Sequence, residues 1–295
     1  MAALHEPVLV SDVLTLLEPS RGGLFVDCTV GLGGHSRALL EAGASRVLGL
    51  DRDPDALAMA ADALASFAGR VELVHADYRD LERVLDARGI EHVSGTLADL
   101  GVSSMQLGTQ GRGFSFQRDE PLDMRMDRTS GRSAASLLED VDEEELANVI
   151  FQYGEERYSR RIARSIVYTR RTTPLTTTGQ LAQIVRRAIP VRGHQRIDPA
   201  TRTFQALRIW VNRELEGLDA FLKSATQRLL AGARLAVIAF HSLEDRIVKH
   251  TFRALAQGEK AVRILTKRPI EAGDDEVTRN PRARSAKLRA IERLA

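Results

Sequence analysis

The sequence predicts an α/β fold in which a parallel sheet is interrupted by an inserted helical domain. Three observations predict it. Short apolar runs alternate with amphipathic stretches through the first hundred residues, strand character disappears between about Gln106 and Arg213, and it returns at 234–240. Strands alternating with helices argue a parallel sheet covered on both faces. The simplest division is one α/β domain over 1–106 and 214–295, and a helical, arginine-rich insertion over 107–213. An insertion of that length is an ordinary size for a unit with its own core.

The elements follow in order. Residues 23–27 (Gly-Leu-Phe-Val-Asp) read as a buried strand, followed by a glycine-rich turn and a helix from about Ser36. Residues 46–51 form a second strand. Asp53 then caps a helix with Pro54 at its first position, where a missing N–H costs nothing. A third strand covers 70–75 and ends near Asp77, and a fourth covers 94–100. Inside the insertion, Asp198-Pro199 opens a helix with Phe204, Leu207, Val211, Leu215 and Leu218 on one stripe and Arg202 and Arg213 opposite. After the strand at 234–240, Ser242 is expected to cap a helix, with Asp245 closing a capping box. The tail from Gly258 mixes charge with short apolar runs and takes no clear element.

Composition narrows the function. The chain has 295 residues, 43% hydrophobic and 28% charged, which builds a core and argues against disorder. A single cysteine, Cys28, rules out a disulfide-stapled scaffold and favours a reducing compartment. No apolar run approaches the ~18 residues of a membrane span. The opening stretch MAALHEPVLVSDV lacks a basic region followed by an apolar one, so a signal peptide is not expected. The expectation is a cytoplasmic protein without membrane partners. The net charge is only +2, yet thirteen arginines, no lysine and one acid, Asp198, lie between Arg157 and Arg213, so this segment carries +12 and the remainder −10. Segregated positive charge suggests a polyanionic partner, against the alternative of solvated helix faces paired with acids from elsewhere. A second basic cluster (Arg279, Arg282, Arg284, Lys287, Arg289, Arg293) closes the chain, opposed by Glu292.

The turn after the first strand reads Asp27-Cys28-Thr29-Val30-Gly31-Leu32-Gly33-Gly34-His35-Ser36. Its glycines let the backbone approach a ligand and free N–H groups at the next helix start. A dinucleotide fingerprint needs a glycine where Ser36 stands, which argues against NAD. Asp51 ends the second strand, where a carboxylate grips a ribose diol. Asp77 and Tyr78 end the third, beside an adenine position, and Asp99 ends the fourth. An acid with G-x-G-G after the first strand and an acid after the second suit S-adenosylmethionine, which has ribose and adenine but no pyrophosphate. Asp27 serves equally as a cap of the turn. Asp99, in Asp99-Leu100-Gly101-Val102-Ser103-Ser104, stands where a methyl acceptor would lie. It is placed either to orient and deprotonate an exocyclic amine or to hold the cofactor's amino group, and Ser103 alternatively caps a helix. Arg112–Phe116 and Pro121–Asp127 interleave aromatic, sulfur and basic side chains, suited to clamping a base or to packing as a strut. His241 stands alone without a partner at metal-ligand spacing, so no metal is expected, and Cys28 has no partner that would make it a nucleophile.

The runs CTVGLGGHS (28–36), LDRDP (50–54), DLGVSSMQL (99–107), RGFSF (112–116), PLDMRMD (121–127), YGEER (153–157), ATRTFQALRIWVN (200–212), FHSLEDRIVK (240–249) and NPRARSAKLR (280–289) resemble the bacterial ribosomal RNA small-subunit methyltransferase H family over nearly the whole chain. The resemblance implies an S-adenosylmethionine-dependent, Rossmann-like methyltransferase sheet with an inserted domain, acting on N4 of cytidine 1402 in 16S ribosomal RNA. It implies cofactor contacts from Gly33, Gly34, His35, Asp51, Tyr78, Asp99 and Gln106, with Asp99 the candidate catalytic residue. It implies 16S RNA, within an assembled or nearly assembled 30S subunit, as partner, and a homodimer is compatible with it. Gly108 and Glu120 depart from the family's common Asp and Gly. A DNA amino-methyltransferase is disfavoured because Asp99 is not followed by Pro-Pro and an aromatic. An RNA-binding assembly factor that has lost turnover is the remaining non-enzymatic alternative.

Overall fold

The computed structural model describes residues 7–190, 197–258 and 262–294. The first six residues of the opening stretch, together with Arg192 and Arg196 of the basic segment, lie outside the described residues. The chain divides into two compact units, 1–101 with 215–295, and 102–214. The sequence boundary expected at 106/107 would have cut helix Ser104–Gly108, whose capping residue Ser103 already belongs to the second unit.

The first unit is built on seven strands: β1 (Leu24–Asp27), β2 (Arg46–Asp51), β3 (Val71–His75), β4 (Val93–Asp99), β5 (Leu229–Ala239), β6 (Val262–Ile264) and β7 (Lys287–Arg293). Their order is β3-β2-β1-β4-β5-β7-β6, with β7 antiparallel to both neighbours and the other pairings parallel. Alternate residues enter different cores. Val26, Leu48 and Val237 join one apolar cluster, while their neighbours Phe25, Val47 and Ile238 join another. Period-two alternation between two apolar clusters is what a sheet covered on both faces requires.

Several expectations shift. β5 starts five residues earlier than expected, with a register irregularity against β4 between Val93 and Gly95. The tail supplies β6, helix Asp274–Arg279 and β7. In helix Ser242–Gly258 the Asp245 carboxylate expected to close a capping box with Ser242 is engaged elsewhere. The reciprocal pair is His241 and Glu244: Glu244 Oε2 accepts from the N–H groups of Phe240 and His241, and His241 Nδ1 accepts from Glu244 N–H. Asp245 instead takes both ends of the Arg289 guanidinium at 2.6 and 3.1 Å. With Arg293 donating to the carbonyls of Gln227 and Leu229, two of the six members of the C-terminal basic cluster are therefore spent within the first unit.

The second unit holds helices Ala134–Asp140, Glu143–Gly154, Ser159–Arg170, Thr178–Ala188 and Ala200–Asn212 around one apolar core. The stripe expected to run on through Leu215 and Leu218 stops early, because Arg213 turns left-handed (φ 51) and ends the helix at Asn212. Arg112–Phe116 and Pro121–Asp127 pack as a strut. Arg112 is 2% exposed and donates to the carbonyls of Arg125 and Met126, while Met124 and Met126 lie in the interior. Glu120 is buried in the same strut and accepts from the N–H groups of Gly111 and Gly113. Asn212 ties the strut to the last helix: its Oδ1 accepts from Met126 N–H at 2.8 Å, and its Nδ2 donates to the carbonyls of Met124 and Arg208.

Replacing Asn212 with alanine strands the buried Met126 N–H and Met124 C=O together. At ~1–3 kcal/mol for each orphaned group, the expected loss of stability is about 3 kcal/mol, read as a lower urea midpoint. A loss below about 1 kcal/mol would show that the strut is held by packing alone.

Candidate active site at the strand ends

The register around β1 assembles the site. Asp27 lies opposite Gly49 of β2 and Leu97 of β4. Asp51 and Asp99 therefore stand two residues beyond it on either side, on the same face of the pleat. Three carboxylates so close need local compensation, and the glycine turn supplies it. Thr29 N–H and the Ser36 hydroxyl both donate to Asp27, which is fully buried. Gly31 N–H and Asp53 N–H donate to the two oxygens of Asp51 at 2.7 and 2.9 Å. Gly31 and Gly33 have φ values of 53° and 83°, the left-handed region where a glycine avoids the Cβ clash. A Cβ on Gly33 would also meet Leu64 at 3.0 Å. Ser36, the residue that broke the dinucleotide pattern, is thus the one that clamps Asp27.

Asp99 differs from the other two. Its backbone N–H donates to Thr29 Oγ1 at 2.6 Å, and its Oδ2 lies 3.7 Å from His35 Nε2. Its buried Oδ1 has no hydrogen-bond partner among the described residues. An unpaired buried acceptor is costly, so this oxygen suits an N–H donor brought by a ligand. Burial pushes the Asp99 carboxyl up to about 8, with the Arg282 charge opposing the rise and the charges of Asp27 and Glu244 adding to it. Burial also lifts Asp27 to about 6, against its bonds from Ser36 and Thr29. Asp51 is lifted by burial to about 6 as well, against the N–H groups of Asp53 and Gly31. Asp77 goes the other way: burial raises it, but the Arg79 fork and the Arg52 guanidinium outweigh burial and hold it below its ordinary value. Cys28 is buried, and its thiol is pushed well up by burial and the charges of Asp27 and Asp77, which makes it a packing residue.

The other expected residues separate. Gly34 opens helix Gly34–Glu41, and His35 is 5% exposed on its first turn. Tyr78 follows β3 with its ring packed 4.8 Å from that of Phe221. Gln106 belongs to the second unit. It is buried, and it closes a capping box with Ser103: Oε1 accepts from Ser103 N–H at 2.9 Å, and its own N–H donates to Ser103 Oγ at 3.2 Å. Sequence reasoning missed Thr29, whose signal was its place inside the glycine turn. It also missed Arg282, counted there as part of a basic cluster.

Against this geometry the comparisons with known proteins can be set. The MraW methylase family matches residues 2–294. The chain belongs to that family. It is 50% identical over 307 residues to a "Ribosomal RNA small subunit methyltransferase H" of Trichlorobacter lovleyi, covering 98% of each chain. It is 51% identical over 290 residues to the protein of the same name from Sorangium cellulosum, covering 98% of this chain and 91% of that one. A solved rRNA methylase from Streptococcus thermophilus aligns over 100% of both chains with 11% identity and a TM-score of 0.44.

The folded-state values of Asp27, Asp51 and Asp99 all exceed the ~3.9 of an unfolded aspartate. The folded protein then binds more protons than the unfolded chain between roughly pH 4 and 8, so these groups cost stability progressively as pH rises through that window. The urea midpoint of the ligand-free protein is expected to fall from pH 5 to 8.5. Asp99→Asn should flatten the upper part of that fall, where Asp99 titrates at about 8. An Asp99→Asn profile parallel to wild type above pH 7 would refute the assignment.

Proposed function

We propose that this methylase binds S-adenosylmethionine at the carboxyl ends of β1, β2 and β4 and methylates N4 of cytidine 1402 in 16S ribosomal RNA. The observation that carries the site is the pair of half-buried, strand-end carboxylates Asp51 and Asp99 on either side of the glycine turn. The observation that carries the substrate is membership in the MraW methylase family, with relatives about 50% identical named for the small-subunit ribosomal RNA. The enzyme works in the cytoplasm on an assembled or nearly assembled 30S subunit.

Each residue has a task. A carboxylate offers about four lone-pair sites. Asp51 spends two on Gly31 and Asp53 N–H groups, which leaves two for the ribose hydroxyls. The turn at Gly33, Gly34 and His35 brings backbone close to the ligand, and Tyr78 forms the wall near the adenine. When bound, S-adenosylmethionine supplies an electrophilic methyl group on a positively charged sulfur. The cytosine amine is a poor nucleophile because its lone pair is delocalised into the ring. Asp99 accepts one N–H of that amine at its unpaired Oδ1, which turns the lone pair toward the methyl carbon. Methyl transfer would release the donor as a neutral thioether, and Asp99 would take the surplus amine proton. A carboxyl poised at about 8 is matched to proton acceptance near neutral pH.

Asp51→Ala is expected to weaken donor binding by at least about 100-fold, the loss of two charge-assisted hydrogen bonds, measured by calorimetry. Asp99→Asn should leave donor affinity within a few-fold and lower kcat by ~10²–10⁴, the range for a general base. Nucleoside mass spectrometry of unmethylated 30S subunits incubated with the protein and labelled donor tests the whole reading. Label absent from N4-methylcytidine would overturn it. An Asp99→Asn protein that loses donor binding instead would make Asp99 the holder of the donor's amino group.

A further inference from the structure

Part of the +12 charge between Arg157 and Arg213 is consumed internally. Arg186 pairs with Asp198, Arg208 with Glu214, and Arg170 donates to the Leu138 carbonyl. Four more arginines are ordered along one helix. On Ser159–Arg170 and its capping residue Arg171, a 100° step per residue puts Arg160, Arg161, Arg164, Tyr168 and Arg171 within an arc of about 100°. Ile162, Ala163, Ile166 and Val167 fill the buried side. Every side chain of the arc is exposed, Tyr168 to 71%. Arg164 has one carboxylate neighbour, Glu143, at 3.3 Å, while Arg160, Arg161 and Arg171 have none among the described residues. Just ahead of the helix, exposed Arg157 lies over the Tyr158 ring at 4.6 Å from its centroid.

A solvated helix face normally mixes signs along its length, whereas this one carries four arginines, no acid of its own and an exposed aromatic ring among them. Guanidinium groups fork onto phosphate oxygens and also stack, and a tyrosine ring offers a platform for an unpaired base. Arg160 and Arg171 are about 16 Å apart along the axis, room for several successive phosphates of one strand. We infer that the Arg160–Arg161–Arg164–Tyr168–Arg171 face docks a segment of RNA strand, its phosphates on the arginines and one unstacked base on Tyr168. This rests on the reading of the protein as an RNA methyltransferase and adds where the RNA outside the reacting nucleotide is held.

The test compares salt dependence of binding to unmethylated small-subunit RNA. Each phosphate contact on a single strand contributes about 0.7 to the slope of log affinity against log salt. The triple variant R160Q/R161Q/R164Q is expected to flatten the slope by about 2, which amounts to about 100-fold weaker binding at 0.1 M salt. Tyr168→Ala should weaken binding by 5- to 100-fold with an unchanged slope, and Tyr168→Phe should restore it. A control triple of equal charge on the first unit, R46Q/R83Q/R246Q, should leave the slope as in wild type. An unchanged slope in the first triple overturns the inference while the methyltransferase reading stands, provided wild type still methylates the RNA. Equal flattening in both triples overturns it in favour of net charge, and lost binding to anionic vesicles with an intact RNA slope overturns it in favour of a membrane surface. A wild-type protein that neither binds nor methylates the RNA overturns both.

Discussion

The first unit depends on the placing of one buried charge. Asp27 sits at the end of β1 with no exposure to water, and the register of its two neighbours sets Asp51 and Asp99 beside it. Neither Asp27 nor Asp51 has a cation in hydrogen-bonded contact among the described residues. Their compensation comes from backbone N–H groups of the turn and from the Ser36 hydroxyl. The loop that shapes the site is therefore the loop that makes the strand ends tolerable. A change in the turn that removed those donors would damage folding and binding together, since the same atoms serve both.

The second unit solves a different problem. Its helices bury a conventional apolar face, but the segment between Arg112 and Asp127 has little secondary structure and must satisfy its own backbone. It does so with long polar side chains turned inward. Arg112, Glu120 and Asn212 are all nearly inaccessible, and each bonds to main-chain groups. Met124 even adopts a left-handed conformation (φ 64) inside this frame. Buried polar networks of this kind specify one arrangement at the cost of tolerance, because a half-satisfied member is worse than an apolar one.

Much of this was legible in the sequence for a simple reason. β1, β2 and β4 are short apolar runs ending in an acid, and helix Pro54–Ala63 begins at Asp53 with the expected side-chain cap. Local chemistry decides those elements. β7 was not legible, because Lys-Leu-Arg-Ala-Ile-Glu-Arg becomes a strand only through distant partners: Asp245 for Arg289, and Arg234 with Arg263 for Glu292. β6 is three residues long and exists by pairing with β7. The same distinction divides the site. Asp51 and Asp99 announce themselves as strand ends, whereas the role of Arg282 depends on a chain segment more than 180 residues away from Asp99. His241 reads as an isolated histidine and turns out to be half of a helix cap. A count of arginines likewise finds the charge on the insertion but cannot tell Arg208, spent on Glu214, from Arg160, which faces water.

The protonation behaviour of the three acids joins these themes. Asp27 and Asp51 at about 6 and Asp99 at about 8 mean that the site carries less negative charge near neutrality than its composition suggests. A hydrogen-bond donor or positive charge arriving at the strand ends favours the ionised forms and is favoured by them in return. Binding and deprotonation are then coupled, and the energy stored by holding carboxylates out of water becomes available to whichever ligand supplies the missing donors. A neutral ligand of the same shape would keep the hydrogen-bonding share of that gain and lose the share due to charge. The site discriminates by charge before it discriminates by fit, because its acceptors were placed at the sheet edge without full protein partners.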